Sequence, residues 1–137
     1  MTKRALLAGI TAAGLLAALS GCSLASAITP PVESQLYPTI ADARGADATI
    51  EIPSWVPDDA VGIRIKENAE TGAAIMQFGD PAPEAIGTAC DASIAGNTAP
   101  LDDTWWPQAL PPPEEITCQD GWHIAFLYGS QFFAWTP

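Results

Sequence analysis

Few side chains in this 137-residue sequence can do chemistry, and their spacing limits what kind. The candidates are three cysteines (Cys22, Cys90 and Cys118), one histidine (His123) and sixteen acids. His123 has no nucleophile motif beside it, and a base without a nucleophile and an orienting group is not a catalytic set. Zinc would require further His or Cys ligands next to it, so His123 is read as a strand histidine and no metal is expected. The adjacent carboxylates Asp58-Asp59 and Asp102-Asp103 do not make a calcium loop. Neighbours on a strand point to opposite faces, and no glycine-punctuated D-x-D-x-D-G run gathers their oxygens. They are read as turn or helix-start residues. Two carboxylates suffice for glycoside hydrolysis, but a chain this short leaves little room for a deep cleft. The expectation is a protein that is not an enzyme and carries no cofactor.

Cys22 has a different chemistry, set by what precedes it. Lys3 and Arg4 are followed from Ala5 to Leu19 by a run of alanine, leucine, glycine and isoleucine broken only by Thr11. A cationic head, an apolar stretch and a small-residue cleavage site are the parts of a secretory signal. The apolar run is shorter than the roughly 20 residues that cross a bilayer. Leu19-Ser20-Gly21-Cys22 resembles the lipobox of bacterial lipoproteins. The resemblance implies cleavage before Cys22 and a diacylglyceryl thioether on its sulfur. Two acyl chains at one residue give the double signal that stable anchoring needs. Residues 1–21 are therefore expected to leave as a signal peptide, with the protein held at the cell membrane on the extracytoplasmic side.

Removing residues 1–21 leaves 116 of the 137 residues, enough for one domain and a tether. All sixteen acids stay, with only Arg44, Arg64 and Lys66 as cations, a formal charge of −13. Such a field repels phosphate backbones and anionic headgroups, which excludes nucleic acid as a partner. The Ser-, Ala- and Pro-rich stretch through residue 45 reads as a lipidated tether over 22–45, with a reach of roughly 25–30 Å. Within it, Thr39-Ile40-Ala41-Asp42 has the form of a capped helical turn toward Arg44, with Leu36, Tyr37 and Ile40 able to dock on the domain.

The remaining cysteines, Cys90 and Cys118, are expected to pair in an oxidising compartment. They are too far apart for a C-x-x-C redox site, and neither has a cationic neighbour to stabilise a thiolate. Between them Pro100, Pro107 and Pro111 to Pro113 discourage regular structure. Trp105-Trp106-Pro107 lies in this loop. Adjacent tryptophans held by a proline do not both enter a core easily, so at least one is expected to be exposed, or else to cap the sheet with Trp55 beneath. Exposed indoles fill pockets on a protein partner or stack on sugar rings.

Strand patterns surround the loop. Ala48 to Ile52 alternates, placing Ile50 and Ile52 on one face of a strand that Pro53 ends. Pro57 to Ala60 reads as a turn. Val61, Ile63 and Ile65 alternate with Gly62, Arg64 and Lys66, whose cations are expected in solvent. Ala73 to Phe78 returns as a hairpin partner that is apolar on both faces and therefore lies inside the sheet. Tyr128-Gly129-Ser130-Gln131 predicts a two-residue II′ turn. The register that follows puts Phe126 opposite Phe133 and Ile124 opposite Trp135. It collects Trp122, Ile124, Phe126, Phe133 and Trp135 on one face as core.

Pro53-Ser54-Trp55-Val56-Pro57-Asp58-Asp59-Ala60, with Trp106-Pro107 and Trp135, is similar to sequence in small lipoproteins of high-GC Gram-positive bacteria. That similarity spans about residues 48–137 and brings no activity with it. The fold class expected is mainly β, a β-rich α+β domain over residues 46–137. It is built on a small antiparallel sheet, as a sandwich or partly open barrel, with short helical turns and one disulfide. The expected function is that of a lipid-anchored, non-catalytic envelope domain. It would bind another protein through Trp105, Trp106, Pro107, Pro111 and Pro112, or a cell-wall glycan on a Trp105/Trp106 stacking platform.

Overall fold

A computed structural model describes residues 31–45, 47–94 and 98–137. Cys22 and the signal segment lie outside these residues. Seven strands form one antiparallel sheet: β1 (Val32–Thr39), β2 (Val61–Asn68), β3 (Ala74–Gly79), β4 (Thr88–Ala89), β5 (Thr117–Gln119), β6 (Trp122–Leu127) and β7 (Gln131–Trp135). Their order across the sheet is β1-β2-β3-β7-β6-β5-β4. One four-residue helix, α1 (Ile40–Ala43), follows β1, and a 3-10 turn covers Pro113–Glu115. The protein is thus β-rich and antiparallel, with short helical turns and a Cys90–Cys118 disulfide. It takes the form of a single open sheet, because irregular segments and not a second sheet cover its two faces.

Period 2 along the central strands supplies both cores. Ile63 and Ile65 of β2, Met76 and Phe78 of β3, Ile124 of β6 and Phe132 and Ala134 of β7 face one side. Ile40, Ala43, Ile50, Ile52, Val56 and Ala60 cover them. Ile75, Ala125 and Trp135 face the other side, under Ile116 and the loop residues Leu101, Trp105, Trp106 and Leu110. β3 and β7 are buried on both faces, as the two-sided apolar pattern of β3 required.

Three expectations change. First, the tether does not run through residue 45. Val32–Thr39 forms an eight-residue edge strand paired along β2, so the folded unit begins well before residue 46. Its composition hid it: Pro38 and scattered polar residues suit an edge, where one side of the backbone needs no ladder partner. The capped turn beyond it is as read. The Thr39 hydroxyl accepts the Asp42 N–H at 3.3 Å, while the Asp42 carboxylate accepts the Thr39 N–H at 3.2 Å.

Second, Ala48 to Ile52 is not a strand. Ile50 and Ile52 are buried and Thr49 and Glu51 exposed, as the alternation demanded, but the segment crosses over the sheet instead of joining it. β1 already occupies the free edge of β2, so that ladder is closed to it. Arg44 fastens this cover, donating to the Val56 carbonyl at 2.8 Å and pairing with Asp58. Pro57 to Ala60 is the turn expected, closed by Ala60 N–H on the Pro57 carbonyl at 3.1 Å.

Third, the C-terminal hairpin is shifted by one residue. Its loop is Tyr128-Gly129-Ser130, with φ of 57° and 75° at the first two positions. The loop thus has three residues in place of two, and two consecutive positive-φ residues in place of the single one of II′. Phe126 now faces Phe132, Ala125 faces Phe133 and His123 faces Trp135. A one-residue slip sends one whole strand to the opposite face. The expected aromatic wall is therefore split, with Phe132 joining Trp122, Ile124 and Phe126, and Phe133 and Trp135 on the far side with His123.

Lys66 is not a free surface cation. It donates to the Asp102 carbonyl at 2.8 Å and pairs with Asp103 at 3.1 Å, tying the disulfide loop to β2. The hydrogen bond from Lys66 holds the Asp103 carboxyl below the usual aspartate range, with Thr104 N–H assisting. A carboxyl whose folded pKa is depressed stabilises above its unfolded pKa of about 3.9 and loses that contribution as pH falls through the folded value. Asp103→Asn is expected to cost about 0.5 kcal/mol at neutral pH, the scale of a partly exposed pair, and less at pH 2. Urea denaturation at the two pH values checks this, and an equal cost at both would refute the ion-pair account.

Candidate functional site

The tryptophan pair of the disulfide loop is part of the second core. Both rings are half-buried. Trp106 meets Phe133 and Trp135 edge-on, with ring centroids 5.7 and 6.0 Å away. Trp105 meets Trp106 at 76°, so the two rings do not share a plane on which a sugar could lie. Trp55 is not beneath them. It sits over the opposite face against Phe78 and Trp122. Pro107 and Pro111 are half-buried and Pro112 is exposed. Trp106 and Pro107, with Leu101 and Leu110, line a shallow hollow of about 340 Å³.

A more apolar hollow of about 360 Å³ opens on the first face, at the β6–β7 end of the sheet. Ile86, Ile124, Phe126 and Phe132 line it, with the exposed carboxylates of Glu84 and Glu115 on its rim. Cross-strand pairing creates it: Phe126 and Phe132 stand opposite each other with ring centroids 4.8 Å apart. Phe132 continues inward onto Phe78 at 5.1 Å, nearly parallel. Phe126 is thus the outer end of an aromatic row rooted in the core, and it remains 44% exposed. Among the described residues no Lys, Arg or His lines the hollow. Two of the three cations of the domain are engaged elsewhere, Arg44 with Asp58 and Lys66 with Asp103.

Sequence reasoning missed this groove. It placed Phe126 in the core through the shifted register, and Pro81 to Ile86 carries neither a strand nor a helix period. Asp58-Asp59 lie in a turn, as read, whereas Asp102 lies outside any turn and Asp103 opens one, its carbonyl accepting the Trp106 N–H at 3.0 Å and its carboxylate the Thr104 N–H at 2.7 Å. Asp80 is the one buried acid among the described residues, and its carboxylate accepts the Ala82 N–H at 2.8 Å in a local turn. His123 is buried on the second face, stacked on Trp135 at 5.2 Å, with Nε2 2.9 Å from the Ile94 carbonyl.

Fold and site together define an open-sheet β domain with one carboxylate-rimmed apolar groove. Comparison with protein-family models, with curated proteins and with solved structures found no match for this chain.

Proposed function

We propose that this protein is a lipid-anchored, non-catalytic envelope domain that binds another protein, held at the extracytoplasmic side of the cell membrane by a diacylglyceryl group on Cys22. The observation that carries the binding half is the groove of Phe126, Phe132 and Ile86, apolar on its floor and bordered by Glu84 and Glu115 without a neighbouring cation. Such a groove suits a partner segment that inserts an apolar side chain and places a Lys or Arg beside it. An exposed aromatic on a rigid support is the kind of residue that dominates a protein interface. The half-buried Trp105–Pro107 segment supports the second core, which makes it a poorer contact than the groove. The anchoring half rests on Leu19-Ser20-Gly21-Cys22 and the apolar run before it. Among the described residues no helix is long and apolar enough to cross a membrane.

One experiment tests both halves. The full chain, expressed in an envelope that processes lipoproteins, is crosslinked in place and recovered from the membrane fraction. Phe126→Ala is expected to keep the fold, because the ring is half in solvent, and to lose about tenfold or more of partner recovery. The recovered protein is expected to begin at Cys22 and to carry the mass of a diacylglyceryl group, and Cys22→Ala to lack that mass. Undiminished recovery with Phe126→Ala would overturn the groove reading, and an unmodified Cys22 in the membrane-recovered protein would overturn the anchor.

A further inference from the structure

The sheet brings together three donors that the sequence separates. Cys118 of β5 and His123 of β6 are cross-strand partners. Cys90 follows directly on β4, whose Ala89 pairs with Thr117 of β5. Both Sγ atoms and a ring nitrogen of His123 lie within 4.8 Å of one another. Strand pairing holds Cys118 beside His123, and the β4–β5 ladder brings the chain to within one residue of Cys90.

His123 is set up as a ligand. Its side chain is 1% exposed, and Nε2 faces the Ile94 carbonyl at 2.9 Å. A carbonyl only accepts, so Nε2 carries the proton and Nδ1 keeps its lone pair. Among the described residues that buried Nδ1 has no hydrogen-bond partner. A ring nitrogen left free while the other donates to a backbone carbonyl is the outer-shell arrangement of metal-bound histidines. A buried, unpaired acceptor is otherwise a net cost.

We infer that the reduced form of this site binds one zinc ion through Cys90, Cys118 and His123, so that the disulfide and the metal site are alternative states of the same residues. A dithiol reductant transfers two electrons and two protons to the Cys90–Cys118 bond, giving two thiols and the reductant's own disulfide. Zinc then displaces the two thiol protons and takes two thiolates and one imidazole, with a fourth position open to water. Zn–S bonds of about 2.3 Å and Zn–N bonds of about 2.0 Å call for donors roughly 3.3–3.8 Å apart, a spacing that side-chain rotation reaches from the present one. Charge selects the metal. Zn²⁺ with two thiolates and a neutral imidazole is uncharged and suits a site beneath Trp135 and the apolar loop, whereas Cu⁺ with the same ligands leaves a buried negative charge.

The test uses the full chain in detergent, titrated with zinc against a chromophoric chelator, oxidised and after reduction by a phosphine. The reduced protein is expected to bind one zinc per chain, to gain thermal stability with added zinc, and to show thiolate-to-metal charge transfer when cobalt replaces zinc. The oxidised protein is expected to bind none at the same concentrations. His123→Gln, which preserves a polar side chain of similar length, is expected to weaken zinc binding tenfold or more while the oxidised fold stays intact. The inference is overturned by equal affinity in His123→Gln, by equal binding to the oxidised chain, or by no zinc bound after reduction. Binding that brings no recovery of near-ultraviolet ellipticity also overturns it, since that is the behaviour of thiols on an unfolded chain.

Discussion

Trp135→Ala is expected to destabilise the domain by about 3–5 kcal/mol, the cost of removing a large aromatic from a packed interior. Trp135 is fully buried on β7, one of the two strands enclosed on both faces. It stands between Ile75 of β3 and His123 of β6 in the ladder, stacks on the His123 ring and receives the edge of Trp106. Removing it opens a cavity where sheet and loop meet, and the sheet side cannot close over that space, because Ile75 and His123 are held in place by the ladder. A domain has about 5–15 kcal/mol of stability in total, so the variant is expected near its unfolding threshold at 37 °C. The urea midpoint and near-ultraviolet circular dichroism measure this directly. A loss below about 1 kcal/mol would mean that the loop is not seated on Trp135.

The second large effect is expected from the disulfide. Cys90 and Cys118 are 28 residues apart in sequence and 5.0 Å apart at Cα. Closing a loop of that length contributes about 3–4 kcal/mol in the chain-entropy account. The contribution matters here because the described residues of the enclosed segment have few other restraints: the Lys66 contacts, the Ile94 carbonyl on His123, the apolar side chains over Ile75, Ala125 and Trp135, and one 3-10 turn. The paired variant Cys90→Ala with Cys118→Ala is expected to lower the urea midpoint and to make residues 91–112 the first site of proteolysis, while β1, β2 and β3 keep their protection. An unchanged midpoint, or cleavage that begins in β1, would show that the loop is held by packing alone. The same variant lacks both thiolate ligands, so added zinc is expected not to restore its stability.

Much of the fold was legible in local patterns. Ile63 and Ile65 alternating with polar neighbours define a strand with one buried face, and the two-sided apolar run at Ile75, Met76 and Phe78 could only be a central strand. The pairing of Cys90 with Cys118 follows from cysteine number once the chain is read as extracytoplasmic. The capping box at Thr39 and Asp42 and the turn at Pro57 to Ala60 are short-range chemistry, complete within four residues. The groove was not legible, because it depends on which residues stand opposite each other. Phe126 keeps the face it shares with Ile124 in either register, and the shift of one residue decides that Phe132, not Phe133, stands beside it.

Sequence by itself determined the periods, the caps, the breaks and the amphipathic faces, since each depends on side chains a few positions apart and on the backbone each residue type allows. It also carries, in Leu19 to Cys22, the tetrad on which the proposed anchor rests. Only the tertiary structure decided that Val32–Thr39 takes the free edge of β2, which turned Ala48 to Ile52 from a strand into a cover. It likewise decided that Trp106 closes one core while Trp55 closes the other, that Phe126 is left at the mouth of a groove, and that His123 comes to rest against both cysteines. The physical reason is common to all four. Each depends on which distant segment covers a surface or stands opposite in the ladder, and no residue records that in its own neighbourhood.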